Sequence, residues 1–357
     1  VSEKVLMKGN EALAEAAIRA GCRFFFGYPI TPQTELAAYM AKRMPKENGV
    51  YLQAESEIAA INMVYGASAA GKRAMTSSSS PGISLKAEGI SYMAGADLPG
   101  VIINVQRGGP GLGGIQPSQS DYFQATRATG HGDFHLIVLA PSTVQEMTDH
   151  AYIAFDLADE YRVPVMVLAD GMLGQMMEPV VLPEPKADES DKPWAVTGHK
   201  GERPHNIANS LYLAPERLEE TNVERYERYE RIKATEQRAE EYLLEDAEIV
   251  LVAFGASSRI ARSAINKARE KGIKAGLIRP ITLWPFPVDA IEAAVPGAKA
   301  FLTVEMNMGQ MVDDVRLAVS GRRPVEFFGR TGGIIPTPAE TLAAIERVAV
   351  SLEGGAR

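Results

Sequence analysis

GCRFFFGYPITPQTE, residues 21–35, passes from an apolar run into a turn where Pro29 and Pro32 bracket Thr31, and then into a segment with helical spacing. A buried strand ending in a proline-stiffened turn before a helix is the basic step of an open α/β sheet. Such a turn holds its side chains at low entropic cost, at the edge where these sheets bind ligands. The same step recurs outward along the chain. Apolar runs at 22–26, 49–53, 73–77, 100–105, 135–139 and 163–168 predict strands. Helical patterns lie between them, including ESEIAAINMVYGASAAG at 55–71 and STVQEMTDHAYIAFDLADEY at 142–161, with Ser142 as the expected N-cap.

The expected fold class is α/β, with a doubly wound parallel-sheet domain over residues 1–185. Composition then shifts at LPEPKADESDKPW, residues 182–194, into a proline-rich and charged connector over 186–245. Within it, ERYERYERIKATEQRAEEYLLED, residues 224–246, reads as a helix whose mixed charges suit a solvated face better than a docking arm. A second, smaller α/β domain over 246–357 is marked by AEIVLVAFGASS, IKAGLIRP, AKAFLTVEMNMGQM and PVEFFGR.

Composition narrows the function classes. The 357 residues, 46% of them hydrophobic, can bury two substantial cores. A net charge of −8 with no lysine-rich block argues against a nucleic-acid surface. The single cysteine, Cys22, cannot hold an iron–sulfur cluster, so any such cluster must sit on another chain. No run of about 18 apolar residues occurs and the N-terminal stretch lacks a long apolar core, so no membrane association and a cytoplasmic location are expected.

Four stretches fall where strands end: YPITP, QAESE, TSSSSPG and VQRGGPGLGG. Loops after different strands of an open sheet converge on one face, so all four can meet there. Gly109, Gly111 and Gly114 formally fit G-x-G-x-x-G, with Asp133 at a distance where a ribose-binding acid would be sought. A dinucleotide site needs a helix to start within the motif, whereas IQPSQSD continues as loop, so a flexible active-site loop is the better reading. The histidines of GHGDFH lack further ligands at metal-binding spacing, and the methionines of GQMMEP and EMNMGQM suit packing or an interface.

Taken in order, GNEALAEAAIRAGCRFFFGYPITPQTE, QAESEIAAINMVYGA, MTSSSSPGISLKAEGISYMAGADLP, NVQRGGPGLG and QSDYFQATR resemble the alpha subunit of the 2-oxoacid:ferredoxin oxidoreductases. The likeness is dense from residue 7 to about 182 and resumes in LIRPITLWPFP and EMNMGQM. Among the branches the chain looks closest to the type acting on 3-methyl-2-oxobutanoate, with the 2-oxoglutarate type next. The resemblance implies thiamine diphosphate held between a domain that binds its aminopyrimidine and one that binds its diphosphate through Mg2+. The second kind carries a G-D-G run and a later asparagine, because the metal needs fixed oxygen ligands. Here LADGMLG has Ala169 before Asp170–Gly171, and no asparagine occurs between Asn104 and Asn206. This chain is therefore expected to be the aminopyrimidine-side domain followed by a transketolase C-terminal-like domain, with no metal of its own.

The resemblance also assigns residues. Glu57 is the expected catalytic group, its carboxyl hydrogen-bonded to N1′ of the pyrimidine so that the 4′-nitrogen can take the proton from the thiazolium C2; Glu55 is the reserve. The bland alternative is two acids favouring a helix N-terminus through its dipole. Thr31 is expected to point its hydroxyl at the substrate carbonyl or carboxylate. Arg107 is expected to pair with the 2-oxoacid carboxylate, to which a guanidinium offers matched donors. Tyr28, Pro29, Ser79, Pro81 and Gly82 complete the expected cofactor contacts. Implied partners are a beta subunit supplying the diphosphate and Mg2+ site, gamma and ferredoxin-like delta subunits with iron–sulfur clusters, ferredoxin, and coenzyme A. A scaffold homologue that has lost catalysis would lack Glu57, Thr31 and Arg107, and all three are present. A transketolase- or dehydrogenase-like enzyme with another acceptor is the third reading.

Overall fold

The computed structural model describes residues 3–127, 129–186 and 192–354; residues 187–191 of the charged passage at the start of the connector lie outside it. Its main sheet has seven strands in the spatial order β12-β6-β7-β5-β4-β2-β3. In chain order these are β2 (Phe24–Gly27), β3 (Val50–Gln53), β4 (Ala74–Ser78), β5 (Gly100–Gln106), β6 (Ile137–Leu139), β7 (Pro164–Asp170) and β12 (Thr282–Trp284). Six run parallel and match the six predicted strands. Every residue of β4, β5 and β7 is buried; β5 and β7 therefore read as near-continuous apolar runs, whereas AMTSS of β4 buries three hydroxyls.

The edge strand β12 is antiparallel to β6 and comes from the second half of the chain. Thr282 faces Leu139 and Trp284 faces Val138, so the segment ITLWPFP, which the sequence places in the second unit, closes the first sheet. A small antiparallel pair, β1 (Lys4–Lys8) with β8 (Met177–Val181), covers one end and was not anticipated. Helices α1 (Gly9–Arg19), α2 (Thr34–Arg43), α3 (Glu57–Ala69), α4 (Ser80–Gly95), α5 (Tyr122–Thr126), α6 (Val144–Tyr161) and α7 (Gly171–Gln175) connect these strands. The N-cap of α6 is Thr143 rather than Ser142: Thr143 Oγ1 accepts from Glu146 N at 3.0 Å. Ser142 instead donates its amide and hydroxyl to the Glu146 carboxylate, so the two residues share the helix start as a capping box would.

The charged connector helix α8 (Pro215–Thr235) begins at Pro215, before the expected start at Glu224, and stops at Thr235, well short of Asp246. Thr221, Arg225, Tyr229 and Ile232 are buried along one face at helical spacing, so one side packs on the body while the other is solvated. Its expected continuation is extended: β9 (Ala239–Tyr242) pairs antiparallel with β11 (Ala275–Pro280). The second sheet has the order β14-β13-β10-β11-β9, with β10 (Ile249–Val252), β13 (Ala300–Glu305) and β14 (Val325–Gly329) parallel to β11. Helices α9 (Gly255–Glu270), α10 (Val288–Ala294), α11 (Met311–Val319) and α12 (Pro338–Gly354) complete it. Among the described residues no helix is long and apolar enough to cross a membrane.

The two sheets are joined by a short segment after the glycine loop. Gln119 is fully buried: its amide donates to Phe254 O at 2.8 Å and accepts from Met306 N at 3.0 Å and Ser257 Oγ at 2.9 Å. Asn307 donates to Gln119 O, and Gln310 Oε1 accepts from Phe123 N. In EMNMGQM, the Glu305 carboxylate receives the amides of Gln310, Met311 and Val312 at the start of α11, while Met306 and Met311 are buried and Met308 is exposed. The motif is thus a helix cap and a clamp on the first domain.

Candidate active site at the carboxyl ends of the first sheet

Glu57 opens α3 directly after β3, and its helix is capped by Ser56, whose Oγ accepts from Ala59 N at 3.2 Å. Glu57 is buried and Glu55 is exposed, so only the former faces the interior. Its carboxyl lies against Gly82 near the start of α4. A Cβ on Gly82 would fall 2.1 Å from Ser78 Oγ and 2.9 Å from Glu57 Oε1, so glycine leaves room there for both side chains. Ser79 is the N-cap residue of α4 and Pro81 occupies its first turn. The hydroxyls of Thr76, Ser78 and Ser79 are buried and hydrogen-bond to no protein group among the described residues. Unmatched buried hydroxyls beside a buried carboxyl form a polar cradle that a ligand with several nitrogen donors and acceptors would satisfy.

Arg107 follows β5 and is also buried. Its guanidinium donates to Thr31 O at 3.0 Å and to Leu112 O at 3.2 Å, while Nε is buried without a partner. It is therefore Thr31's carbonyl that meets Arg107, and Thr31 itself is exposed. Tyr28 is half-buried and its carbonyl accepts from Gln33 Nε2 at 3.3 Å; Pro29 is exposed on the rim. Gln33 Oε1 in turn accepts from Ser77 Oγ at 2.6 Å, tying the proline turn to β4. The loop from Gly108 to Gln116 closes on itself through Gly108 N to Gln116 O and Gly114 N to Gly108 O, and no helix begins until Tyr122. A dinucleotide-binding turn is excluded by that geometry.

The structure thus brings together Thr31 with Arg107, and Glu57 with Gly82, while Ser80 links the two groups. Ser80 Oγ accepts from Arg107 N at 3.0 Å and donates to Asp121 Oδ2 at 2.6 Å, and Asn104 Nδ2 donates to the same oxygen at 2.9 Å. Burial pushes the Asp121 carboxyl upward, against the opposing hydrogen bonds of Ser80 and Asn104 and the charge of Arg107. Ser80 lies in the serine run that the sequence places near a ligand, but its link to Arg107 and Asp121 was not legible there; Asn104, Asp121 and Lys86 were missed. The ammonium group of Lys86 is buried beneath Glu57, and burial lowers its pKa to about 8 against the opposing charge of the Glu57 carboxyl. Lys86 did carry a signal: it interrupts the stripe of Ile83, Ile90 and Met93, the buried face of α4.

Asp170, the remnant of the sequence run LADG, ends β7 and caps α7, with Oδ1 accepting from Met172 N at 2.8 Å and Leu173 N at 3.1 Å. Burial raises its pKa to about 6, opposed by backbone amides of Leu173, Met172 and Ala256. The native state therefore favours the protonated acid, so its contribution to stability falls as pH rises from the ordinary 3.8 through 6. The shift corresponds to a difference on the order of 3 kcal/mol between the two ends of that window. In the assembled protein, Asp170→Asn should gain stability relative to wild type at pH 7.5 and lose most of that advantage near pH 4.5. Denaturant midpoints at the two pH values measure this, and an equal difference at both would show that Asp170 does not titrate there. Among the described residues no group of three or more His, Cys, Asp or Glu side chains could hold a metal ion.

Residues 15–242 match the family described as pyruvate flavodoxin/ferredoxin oxidoreductase, thiamine diphosphate-binding, and residues 247–341 match pyruvate:ferredoxin oxidoreductase core domain II. The chain is 52% identical over 345 residues to ketoisovalerate oxidoreductase subunit VorB of Methanothermobacter thermautotrophicus, covering 96% of this chain and 97% of that one. It superposes with a TM-score of 0.86 and 29% identity on a 2-oxoglutarate:ferredoxin oxidoreductase from Magnetococcus marinus, solved with 2-oxoglutarate, coenzyme A and succinyl-CoA bound. That match covers 98% of this chain and 66% of the other. A split-gene transketolase, an inactive β4 tetramer, aligns over 96% of this chain and 98% of its own with a TM-score of 0.60 and 14% identity, a likeness of fold alone.

Proposed function

The chain belongs to the pyruvate flavodoxin/ferredoxin oxidoreductase family, and on that premise we propose that it is the alpha subunit of a thiamine diphosphate-dependent 2-oxoacid:ferredoxin oxidoreductase acting on 3-methyl-2-oxobutanoate. The complete enzyme decarboxylates the oxoacid, transfers the acyl group to coenzyme A and passes the electrons singly through iron–sulfur clusters to ferredoxin. Its relatives are named as subunits, which fits a division of labour between chains. This chain contributes the aminopyrimidine side, while a beta subunit supplies the diphosphate and Mg2+ site and gamma and delta subunits carry the clusters.

The observation that carries the reading is Arg107. A buried guanidinium held only by the carbonyls of Thr31 and Leu112, with Nε unmatched, has no carboxylate hydrogen-bonded to it among the described residues. Asp121, the buried acid acting on it electrostatically, is itself bound to Ser80 and Asn104. Such a cation is suited to the planar carboxylate of an arriving 2-oxoacid. The bound cofactor supplies the electron sink for decarboxylation. For the group, the fit is that of the Glu57, Ser78, Ser79 and Gly82 cradle: Glu57 would hold a proton at the pyrimidine N1′, and the two hydroxyls would satisfy polar atoms of the ring.

The choice of a branched aliphatic acid over 2-oxoglutarate is supported by the side chains that flank Arg107. Leu112 and Ile115 are exposed apolar residues on its loop, and residues 108–121 contain no basic residue that could pair with a second carboxylate. A dicarboxylate would leave one charge unmatched, a costly arrangement in a closed site. The test is a substrate panel on the native complex with coenzyme A and a low-potential viologen. We expect kcat/KM for 3-methyl-2-oxobutanoate to exceed that for 2-oxoglutarate by about 10²-fold. The isolated chain should show no Mg2+-dependent decarboxylation, and robust turnover by it alone would overturn the division between subunits.

A further inference from the structure

We propose that Lys86 is a positioning residue for Glu57, its buried ammonium ion donating to the Glu57 carbonyl and fixing the first turn of α3 so that the carboxyl is held against Gly82. This rests on the reading of Glu57 as the group that engages the pyrimidine. Helices α3 and α4 lie unusually close: a Cβ on Gly89 would fall 2.5 Å from Ile61 Cγ2. One turn earlier the same face of α4 presents Lys86 and Gly82 to Glu57. The carboxyl of Glu57 rests on Gly82, and Lys86 Nζ donates to the Glu57 carbonyl at 3.4 Å, so Glu57 is gripped at both its side chain and its main chain.

Structure alone gives no reason for a charge at this position. Lys86 has 0% exposure, and its neighbours on the stripe are Ile83, Ile90 and Met93. A methionine would fill similar volume with nothing to desolvate, and buried ion pairs are often replaceable by apolar residues without loss of stability. Glu57 is the charged group acting on Lys86 among the described residues. The other buried acid of the site, Asp121, is bound to Ser80 and Asn104, and Glu55 is exposed. The ammonium ion therefore has one electrostatic correspondent, and it is the carboxyl on which the site depends.

The experiment is a double-mutant cycle in the native holo-complex with Lys86→Met, Glu57→Gln and both together. Two quantities are read: the denaturant midpoint without substrate, and the rate of C2 hydrogen–deuterium exchange on bound thiamine diphosphate. With Glu57 present, Lys86→Met should slow exchange by about 10-fold or more, because the carboxyl is no longer held in place. In the Glu57→Gln background it should leave the residual exchange unchanged, and the midpoints should be non-additive. Lys86→Gln, which retains a donor for the carbonyl on a shorter side chain, should slow exchange measurably but less than Lys86→Met does, and it serves if the methionine variant fails to fold. Normal exchange in both Lys86 variants, or the same change in exchange with and without Glu57, would overturn the proposal. Normal exchange in Glu57→Gln alone would defeat the reading of Glu57 instead, and the stability cycle would still report whether Lys86 and Glu57 are coupled.

Discussion

Glu57→Gln in the reconstituted holo-complex is expected to slow C2 hydrogen–deuterium exchange on the bound cofactor by about 10²-fold or more, the scale of a lost acid–base contribution. Glutamine keeps the size and hydrogen-bonding capacity of the side chain and removes its acidic proton. The competing account, a carboxylate favouring a helix N-terminus, allows only about 0.3–1 kcal/mol of stability and no effect on exchange. Geometry separates the two. Ser56 already caps α3, and the Glu57 carboxyl is turned inward against Gly82 where a Cβ could not fit. A residue serving only the dipole would do so from solvent, as the exposed Glu55 can. Glu55→Gln should therefore leave exchange near normal, while Glu57→Gln loses it with fold and partner subunits intact. Near-normal exchange at saturating cofactor in Glu57→Gln would remove that carboxyl from the catalytic role.

What the sequence made legible follows from where burial comes from. The central strands are enclosed on both faces, so the apolar runs of β5 and β7 stand out whatever surrounds them, and both lie within two residues of the predicted bounds. Strand β9 was read as helix because AEEY lies in an unbroken charged pattern, and its extended form is imposed by pairing with β11. The role of β12 could not be read locally at all, since it joins a sheet whose nearest strand, β6, lies far earlier in the chain. The same division holds in the site. Thr31, Glu57 and Arg107 sit at strand ends, where turn chemistry and single polar residues are conspicuous. Ser80, Asn104, Asp121 and Lys86 carry polar groups into the interior from helices, a strand and a clamped loop, and their meeting depends on tertiary packing alone. Pattern also could not show that Arg107 is held by the carbonyl of Thr31, which makes the proline turn part of the arginine's support.

That support determines what Arg107→Ala should do. If the guanidinium pairs with the oxoacid carboxylate, truncation should lower kcat/KM by about 10²-fold or more, chiefly through KM, because the substrate is then neither held nor oriented. Truncation also leaves the carbonyls of Thr31 and Leu112 without their donor, so part of the loss could come from a loosened loop and not from the missing ion pair. Arg107→Lys resolves this. It keeps the positive charge but not the planar fork, so it should recover some substrate binding while failing to span both carbonyls and the carboxylate at once. Cofactor affinity should stay within about threefold in both variants, since the cradle of Glu57, Ser78, Ser79 and Gly82 is built from α3, β4 and α4 and not from the arginine loop. Were Arg107→Ala to lose thiamine diphosphate while retaining a normal KM for the oxoacid, the arginine would belong to the cofactor pocket, and the carboxylate would have to be received by a group on the partner subunit.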